Sequence, residues 1–147
     1  MTYRDLFGEI LADHHESPRN WGTLPHPTRV ESGYNPLCGD KVSIAIDAEN
    51  GCLKHIAFQG EGCSICMASA SIMSEMVEGV ALSRVTEMIE GFRKIMLGEP
   101  NVLGMPANDA SDDIVALYGI KRFPVRIKCA LLPWVTLKKG MEAIHAG

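Results

Sequence analysis

Residues 41–77 read KVSIAIDAENGCLKHIAFQGEGCSICMASASIMSEMV, and a change of period inside this stretch decides the fold class. In Lys41–Asp47, Val42, Ile44 and Ile46 alternate with Ser43 and Ala45, the two-residue period of a strand with one buried face. Asn50-Gly51 supplies a tight hairpin turn before a second strand over Leu53–Phe58. After Gly62 the alternation stops. Ser64–Val77 is a long apolar-rich run with Ala68, Ser69, Ala70 and Ser71 at its centre, and small residues let a helix lie close against a sheet or another helix. The stretch predicts a β-hairpin that feeds a buried core helix.

Working outward, Val30–Tyr34 predicts a third, weaker strand of the same sheet. Upstream of it, Leu6, Phe7, Ile10 and Leu11 form one stripe of an amphipathic helix over Tyr3–His14. Between them Pro18, Pro25, Pro27 and Gly22 break regular structure, leaving a loop from which Trp21 and Leu24 can anchor against the core. Downstream, Leu82, Val85, Met88, Ile89, Phe92, Ile95 and Met96 recur at spacings of three and four until Gly98 and Pro100 stop the helix. Glu99–Asp113, rich in Gly, Pro, Asn and Asp, reads as a mobile surface excursion. In the last segment, FPVRIKCALLPWVTLKKG, Pro124 suits a first helical turn, and Val125, Ile127, Ala130, Leu131 and Trp134 supply apolar surface. Pro133 removes the amide that would return to the Cys129 carbonyl, which predicts a kink or break beside that cysteine. The order predicts an α+β fold, a small antiparallel three-stranded sheet packed against several helices on one face, with residues 1–147 as a single domain.

The 147 residues are 46% hydrophobic and 22% charged with a net charge of −4, which suits a soluble domain and gives no broad positive field for nucleic acid. No apolar run approaches the roughly 20 residues needed to cross a membrane, and Arg4, Asp5 and Glu9 interrupt what would be a signal core, so the expected compartment is cytoplasmic. Five cysteines, an odd number, argue against a disulfide framework. Reduced thiols either fill core space or bind metal and carry sulfur chemistry, and spacing separates the two.

Three thiols stand at ends or turns: Cys38 in NPLCGD, Cys63 in GEGCSIC and Cys129 in RIKCALLPW. Metal ligands must be delivered by separate rigid elements that converge, and a hairpin loop, a helix start and a late helix are three such elements. Asp40 adds a fourth donor, unless it only caps the turn after Gly39. Three thiolates and a carboxylate favour zinc, or iron with sulfur, over oxygen-seeking magnesium or calcium. Such a site is anionic, and Arg126 and Lys128 near Cys129 are candidate partners for the excess charge.

The segments NPLCGD, GEGCSICMASASIM and FPVRIKCALLPW, with DHHESPRNWG near the N-terminus, resemble the signature segments of the SufU/IscU family of iron–sulfur cluster assembly proteins, also known as the NifU N-terminal type. The resemblance runs over nearly the whole chain, and it implies that Cys38, Asp40, Cys63 and Cys129 are the metal or cluster ligands. IscU-type scaffolds resemble one another in a histidine immediately before the last cysteine and in a downstream LPPVK segment. Here Lys128 holds the histidine's place, the LPPVK segment is missing, and the excursion at Glu99–Asp113 resembles the insertion of SufU-type members. The SufU branch implies tightly bound Zn²⁺ and sulfur acceptance from a cysteine desulfurase of the SufS kind, with apo iron–sulfur proteins or a cluster-assembly complex downstream.

Sulfur transfer requires a thiolate to attack the outer sulfur of a persulfide, and zinc keeps a cysteine deprotonated while shielding it. Cys38, on a loop between Pro36 and Gly39, is the candidate acceptor, because Cys63 and Cys129 belong to helices. A second function shares every ligand: a scaffold on which a [2Fe–2S] cluster is built and passed on. A third, a thiol oxidoreductase using Cys63-Cys66, lacks the βαβ context of that motif. Cys66, where the family usually has serine, reads as packing on the core helix, and Cys52 beside Gly51 as incidental. His14, His15, His26, His55 and His145 do not cluster with the cysteine motifs and read mostly as surface residues, with His14 near a docking face; the eight methionines read as core filler.

Overall fold

The computed structural model describes residues 3–99 and 112–146, with the side chains of residues 3–7, 112 and 145–146 left out of the description. A helix α1 (Tyr3–Glu16) leads through a loop into strands β1 (Arg29–Asn35), β2 (Asp40–Glu49) and β3 (Cys52–Glu61). Then come α2 (Ser64–Val77), a two-residue strand β4 (Val80–Ala81), α3 (Leu82–Met96), α4 (Asp112–Tyr118), a 3₁₀ turn (Gly119–Arg122) and α5 (Pro124–Ala146). The sheet is antiparallel in the order β1-β2-β3-β4. It therefore has four strands rather than the expected three. The added strand is short because Val80 and Ala81 pair only with Leu53 and Cys52 before α3 begins.

Alternation along β2 works as the sequence requires: Asp40, Val42, Ile44 and Ile46 are buried while Lys41 is exposed. On β3 the pairing shifts, with Asp47 opposite His55 but Ala48 opposite Leu53. Lys54 is thus an extra, bulged residue, and it is the reason Leu53 and Ile56, three apart, both turn inward. Asn50 and Gly51 both have positive φ, at 54° and 77°, as the tight turn demands.

The inner face of the sheet receives α2 and α5. A side chain at Gly33 would strike Thr136 and one at Gly60 would strike the backbone of Lys41, so these strand positions let the helices and the neighbouring strand approach closely. Within the core, Trp134 of α5 stacks on Phe92 of α3 with centroids 4.3 Å apart and planes 16° apart. The loop after α1 closes the free edge of β3, where Phe58 exchanges backbone hydrogen bonds with Asn20 and Gly22 and Trp21 meets the Phe58 ring edge-on at 5.4 Å.

Helix α5 runs through Pro133 without interruption, so of the expected kink or break the break does not occur. Its neighbours hold it: Pro133 is buried, and the Ala130 carbonyl beside the proline's turn accepts a hydrogen bond from Ser69 of α2. Val125, one of the residues expected to supply the apolar surface of this helix, lies in the first turn of α5 and is 79% exposed. Most of the expected excursion at Glu99–Asp113 lies outside the described residues, but Asp112 and Asp113 open α4, a helix not anticipated from the sequence. Among the described residues no helix is long and apolar enough to cross a membrane.

Candidate metal centre

The four residues singled out in the sequence sit on three elements that meet at one end of the sheet. Cys38 lies on the four-residue turn between β1 and β2; its N–H donates to the Asn35 carbonyl at 3.3 Å, and Gly39 follows with φ at 69°. Asp40 is the first residue of β2 on the inner face and is completely buried. Cys63 is the N-cap of α2, and its carbonyl accepts the Met67 N–H at 3.3 Å. Cys129 is buried in the second turn of α5.

The sulfurs of Cys38 and Cys129 stand 3.3 Å apart, and with a carboxylate oxygen of Asp40 they form a group whose donor atoms all lie within 4.8 Å of one another. Cys63 stands beside this group and not within it: its sulfur is 3.9 Å from Asp40 Oδ2, but it is not within 4.8 Å of all three other donors. Zinc held at ordinary bond lengths in a tetrahedron sets sulfur and oxygen donors about 3.5–3.8 Å apart, so the 3.3 Å and 3.9 Å separations lie near that spacing, and Cys63 would have to move closer to the other three donors to complete a tetrahedron. The donor chemistry fits the ion as well, since three thiolates and one carboxylate would more than offset the charge of a divalent cation that burial otherwise makes costly.

The electrostatics point the same way. Burial, and then hydrogen bonding with Asp40, Cys38 and Cys63, pushes the Cys129 thiol well above its usual range. In the protein alone that thiol keeps its proton at neutral pH, and a bound cation reverses the balance. Cys63 stands at the N-terminus of a 14-residue helix with no acidic residue in its first turn. Arg126, one turn before Cys129 on the same face of α5, hydrogen-bonds Cys129 and lies close to Cys63 and Cys38, which together raise its pKa. Lys128, one position before Cys129, is exposed and off that face.

Two contributors were missed by sequence reasoning. Asn35 is buried opposite Asp40 across the hairpin, with Nδ2 at 3.5 Å from Asp40 Oδ2 and 3.9 Å from Cys129 Sγ. Gly62 has φ at 148°, and any side chain there would run into Asp40. The signal for both was their place beside the cysteine motifs, in NPLCGD and EGC.

Cys66 is fully buried in the core cluster, and burial followed by the charges of Asp40, Cys63 and Cys38 drives its thiol far up. This is the environment of a packing residue. Cys52 lies on β3 at the hairpin end of the sheet.

His14 is not a surface residue. It is 1% exposed, with Nδ1 2.7 Å from the Ser71 hydroxyl and Nε2 2.9 Å from Asp113 Oδ2. It continues the stripe of Ile10 and Leu11 at helical spacing, and the polar ring is accepted because both nitrogens find partners. Arg19 joins the same knot through Asp13 at 2.6 Å and Glu75 at 3.9 Å, tying α1 to α2 and α4. His15, His26 and His55 are exposed as expected, and the side chain of His145 lies outside the described residues. A groove of about 530 Å³ on the outer sheet face, lined by Tyr34, Lys41, Gln59 and Glu61, carries none of the four donors.

With this geometry in place, the comparison with known proteins defines the class. Residues 7–130 match the NifU-like N terminal domain, and the chain belongs to that family. It is 36% identical over 144 residues to the zinc-dependent sulfurtransferase SufU of Bacillus subtilis (strain 168), covering 97% of this chain and 93% of that protein. It is also 33% identical over 144 residues to the iron–sulfur cluster assembly scaffold protein IscU of Thermotoga maritima, covering 98% of each. Among solved structures, FiSufU of the SUF system from Fervidobacterium islandicum AW-1 superposes with a TM-score of 0.81 at 28% identity, over 95% of this chain and 99% of that one.

Proposed function

We propose that this protein is an iron–sulfur cluster assembly protein that accepts sulfur from a cysteine desulfurase of the SufS kind at a zinc site formed by Cys38, Asp40, Cys63 and Cys129. The observation that carries the reading is the mutual approach within 4.8 Å of donor atoms from Cys38, Asp40 and Cys129, residues up to 91 positions apart, with Cys63 beside them. The 36% identity to a zinc-dependent sulfurtransferase supports the choice of metal and activity. Five free thiols accord with a reducing compartment, the cytoplasm.

Zinc held by these four residues would keep their sulfurs as thiolates at neutral pH and shield them from oxidation. The chain's own residues divide the remaining work. Asp40 and Cys63 are joined by the bond from the Cys63 amide to Asp40 Oδ1 at 2.8 Å, and Cys129 is fixed in a helix, so these three form the rigid part of the site. Cys38 rides on a turn and is half-exposed, which suits the residue that must meet a partner's sulfur. Its thiolate attacks the outer sulfur of the desulfurase persulfide; the new S–S bond forms on Cys38 as the old one breaks, and the desulfurase cysteine leaves as a thiolate. Arg126 at the rim offsets the negative charge of the thiols during this exchange.

Metal analysis of untreated protein with each of the four residues replaced in turn tests the ligand set: zinc near one equivalent falls sharply in each variant. Persulfide labelling tests the acceptor. If Cys38→Ala still takes up sulfur from the desulfurase while Cys63→Ala and Cys129→Ala do not, Cys38 is not the acceptor. A scaffold role has a specific support in the 33% identity to an IscU scaffold, and the same donor set suits a [2Fe–2S] cluster as cargo. Brown, iron- and sulfide-containing protein as isolated, with no stimulation of desulfurase turnover, would decide for the scaffold.

A further inference from the structure

Ser69 lies in the middle of α2 and is completely buried, six residues after Cys63. A serine inside a helix ordinarily returns its hydroxyl proton to its own helix, as Ser74 does to the Ser71 carbonyl at 2.7 Å and Thr136 does to the Leu132 carbonyl at 2.8 Å. Ser69 does otherwise. Its hydroxyl donates across to the Ala130 carbonyl of α5 at 2.6 Å and accepts from the Trp134 indole Nε1 at 3.0 Å. Both contacts fall on the turn of α5 that follows Cys129, and that turn is where the helix is weakest. Pro133 has no amide to return to the Cys129 carbonyl, so the rung that would brace the cysteine from within its own helix is missing.

We propose that Ser69 is a positioning residue for the metal centre: its hydroxyl fixes the register of the Cys129 turn of α5 against α2, and so sets the separation of Cys129 from Cys63 at the head of α2. The strut sits between two elements that each deliver one thiol, and it is short, buried and charge-free, so its geometry does not depend on solvent. The stacking of Trp134 on Phe92 holds the indole in place from the far side. An outer hydrogen bond that orients a ligand-bearing element changes metal affinity through geometry, without touching the ion.

The inference rests on the ligand set proposed above, and the test separates the two. Zinc affinity is measured by chelator competition on the full chain, and site geometry by the absorption bands of the cobalt-substituted protein. Ser69→Ala is expected to weaken zinc binding by about 10- to 100-fold and to shift the cobalt bands. Ile89→Val serves as the control: it removes a buried methyl group of α3 and no contact of Ser69, so it lowers thermal stability with little change in affinity or bands. Unchanged affinity and bands in Ser69→Ala overturn the proposal, as does an Ile89→Val variant that loses zinc to the same degree. Should Ser69→Ala fail to fold, Ser69→Cys fills the space with a weak donor, and wild-type affinity and bands there overturn the proposal equally. If instead Cys63→Ala and Cys129→Ala retain full zinc, it is the ligand set that fails; if they lose it while Ser69→Ala does not, only the strut fails.

Discussion

The Asp40 carboxylate accepts the backbone N–H of Cys63 at 2.8 Å, through space that exists only because residue 62 is glycine. One contact thus joins the first residue of β2 to the N-cap of α2 and ties a proposed metal donor to a helix terminus. Gly62→Ala places a methyl group against Asp40 and forces a side chain into φ near 148°. Such a variant is expected to lose about 1–3 kcal/mol of stability and to bind zinc poorly. Thermal unfolding with and without zinc reads both; a variant as stable and as metal-responsive as the wild type refutes the tie.

Asp40 is buried without being exposed to any solvent, so its charge costs stability unless a cation is present. Asp40→Asn keeps an oxygen for the Cys63 N–H and removes the charge. The metal-free variant should match or exceed the wild type in urea unfolding, while its zinc affinity falls by an order of magnitude or more. Asp40→Ala leaves the Cys63 N–H without its acceptor and should cost about 1–3 kcal/mol even without metal.

Cys66 lies one helical turn from Cys63, close enough to be mistaken for a ligand. Its complete burial and strongly raised thiol predict that Cys66→Ala keeps the zinc stoichiometry of the wild type. The expected loss is about 1 kcal/mol of stability from the small cavity. Zinc content reduced in proportion to that of Cys63→Ala would make Cys66 a ligand.

His14 bridges Ser71 and Asp113, so His14→Ala removes two hydrogen bonds and opens space between α1, α2 and α4. We expect a loss of about 2–4 kcal/mol in chemical denaturation. Zinc content should not change, since the knot lies away from the thiols. Metal loss without a fall in stability would contradict this division.

Glu90 joins α3 to α5, accepting from Lys138 at 2.8 Å and from Arg93 at 3.4 Å, and the Lys138 hydrogen bond is the main reason its pKa is lowered. A carboxylate lowered in the folded state contributes stability above its unfolded pKa and loses that contribution as pH falls through the folded value. The window therefore lies below the ordinary glutamate range. Glu90→Gln should be less stable at neutral pH by up to about 1 kcal/mol and should show a shallower acid dependence. Identical acid profiles for the two proteins would remove Glu90 from the account.

The local periods of this chain were legible without coordinates. Alternation in Lys41–Asp47, the Asn50-Gly51 turn, the run Ser64–Val77 and the three- and four-residue spacing through Met96 each record which side of one element is buried, and α2 begins and ends where that pattern does. The short pieces escaped. Val80–Ala81 is too brief to show a period, α4 follows a stretch of breakers, and the bulge at Lys54 inserts one residue that no propensity marks.

The cysteine motifs by themselves determined the kind of donor available and the family the chain resembles, because residue type and spacing are written locally. Only the tertiary structure decided which thiols meet: Cys63 and Cys66 share one helix, yet Cys63 faces Asp40 while Cys66 is sealed into the core. It likewise decided that His14 turns inward and that Ser69 reaches α5 rather than its own helix. Such choices depend on the packing of elements dozens of residues apart, where the loss of water and the demand that every buried polar atom find a partner select among side chains the sequence presents as equals.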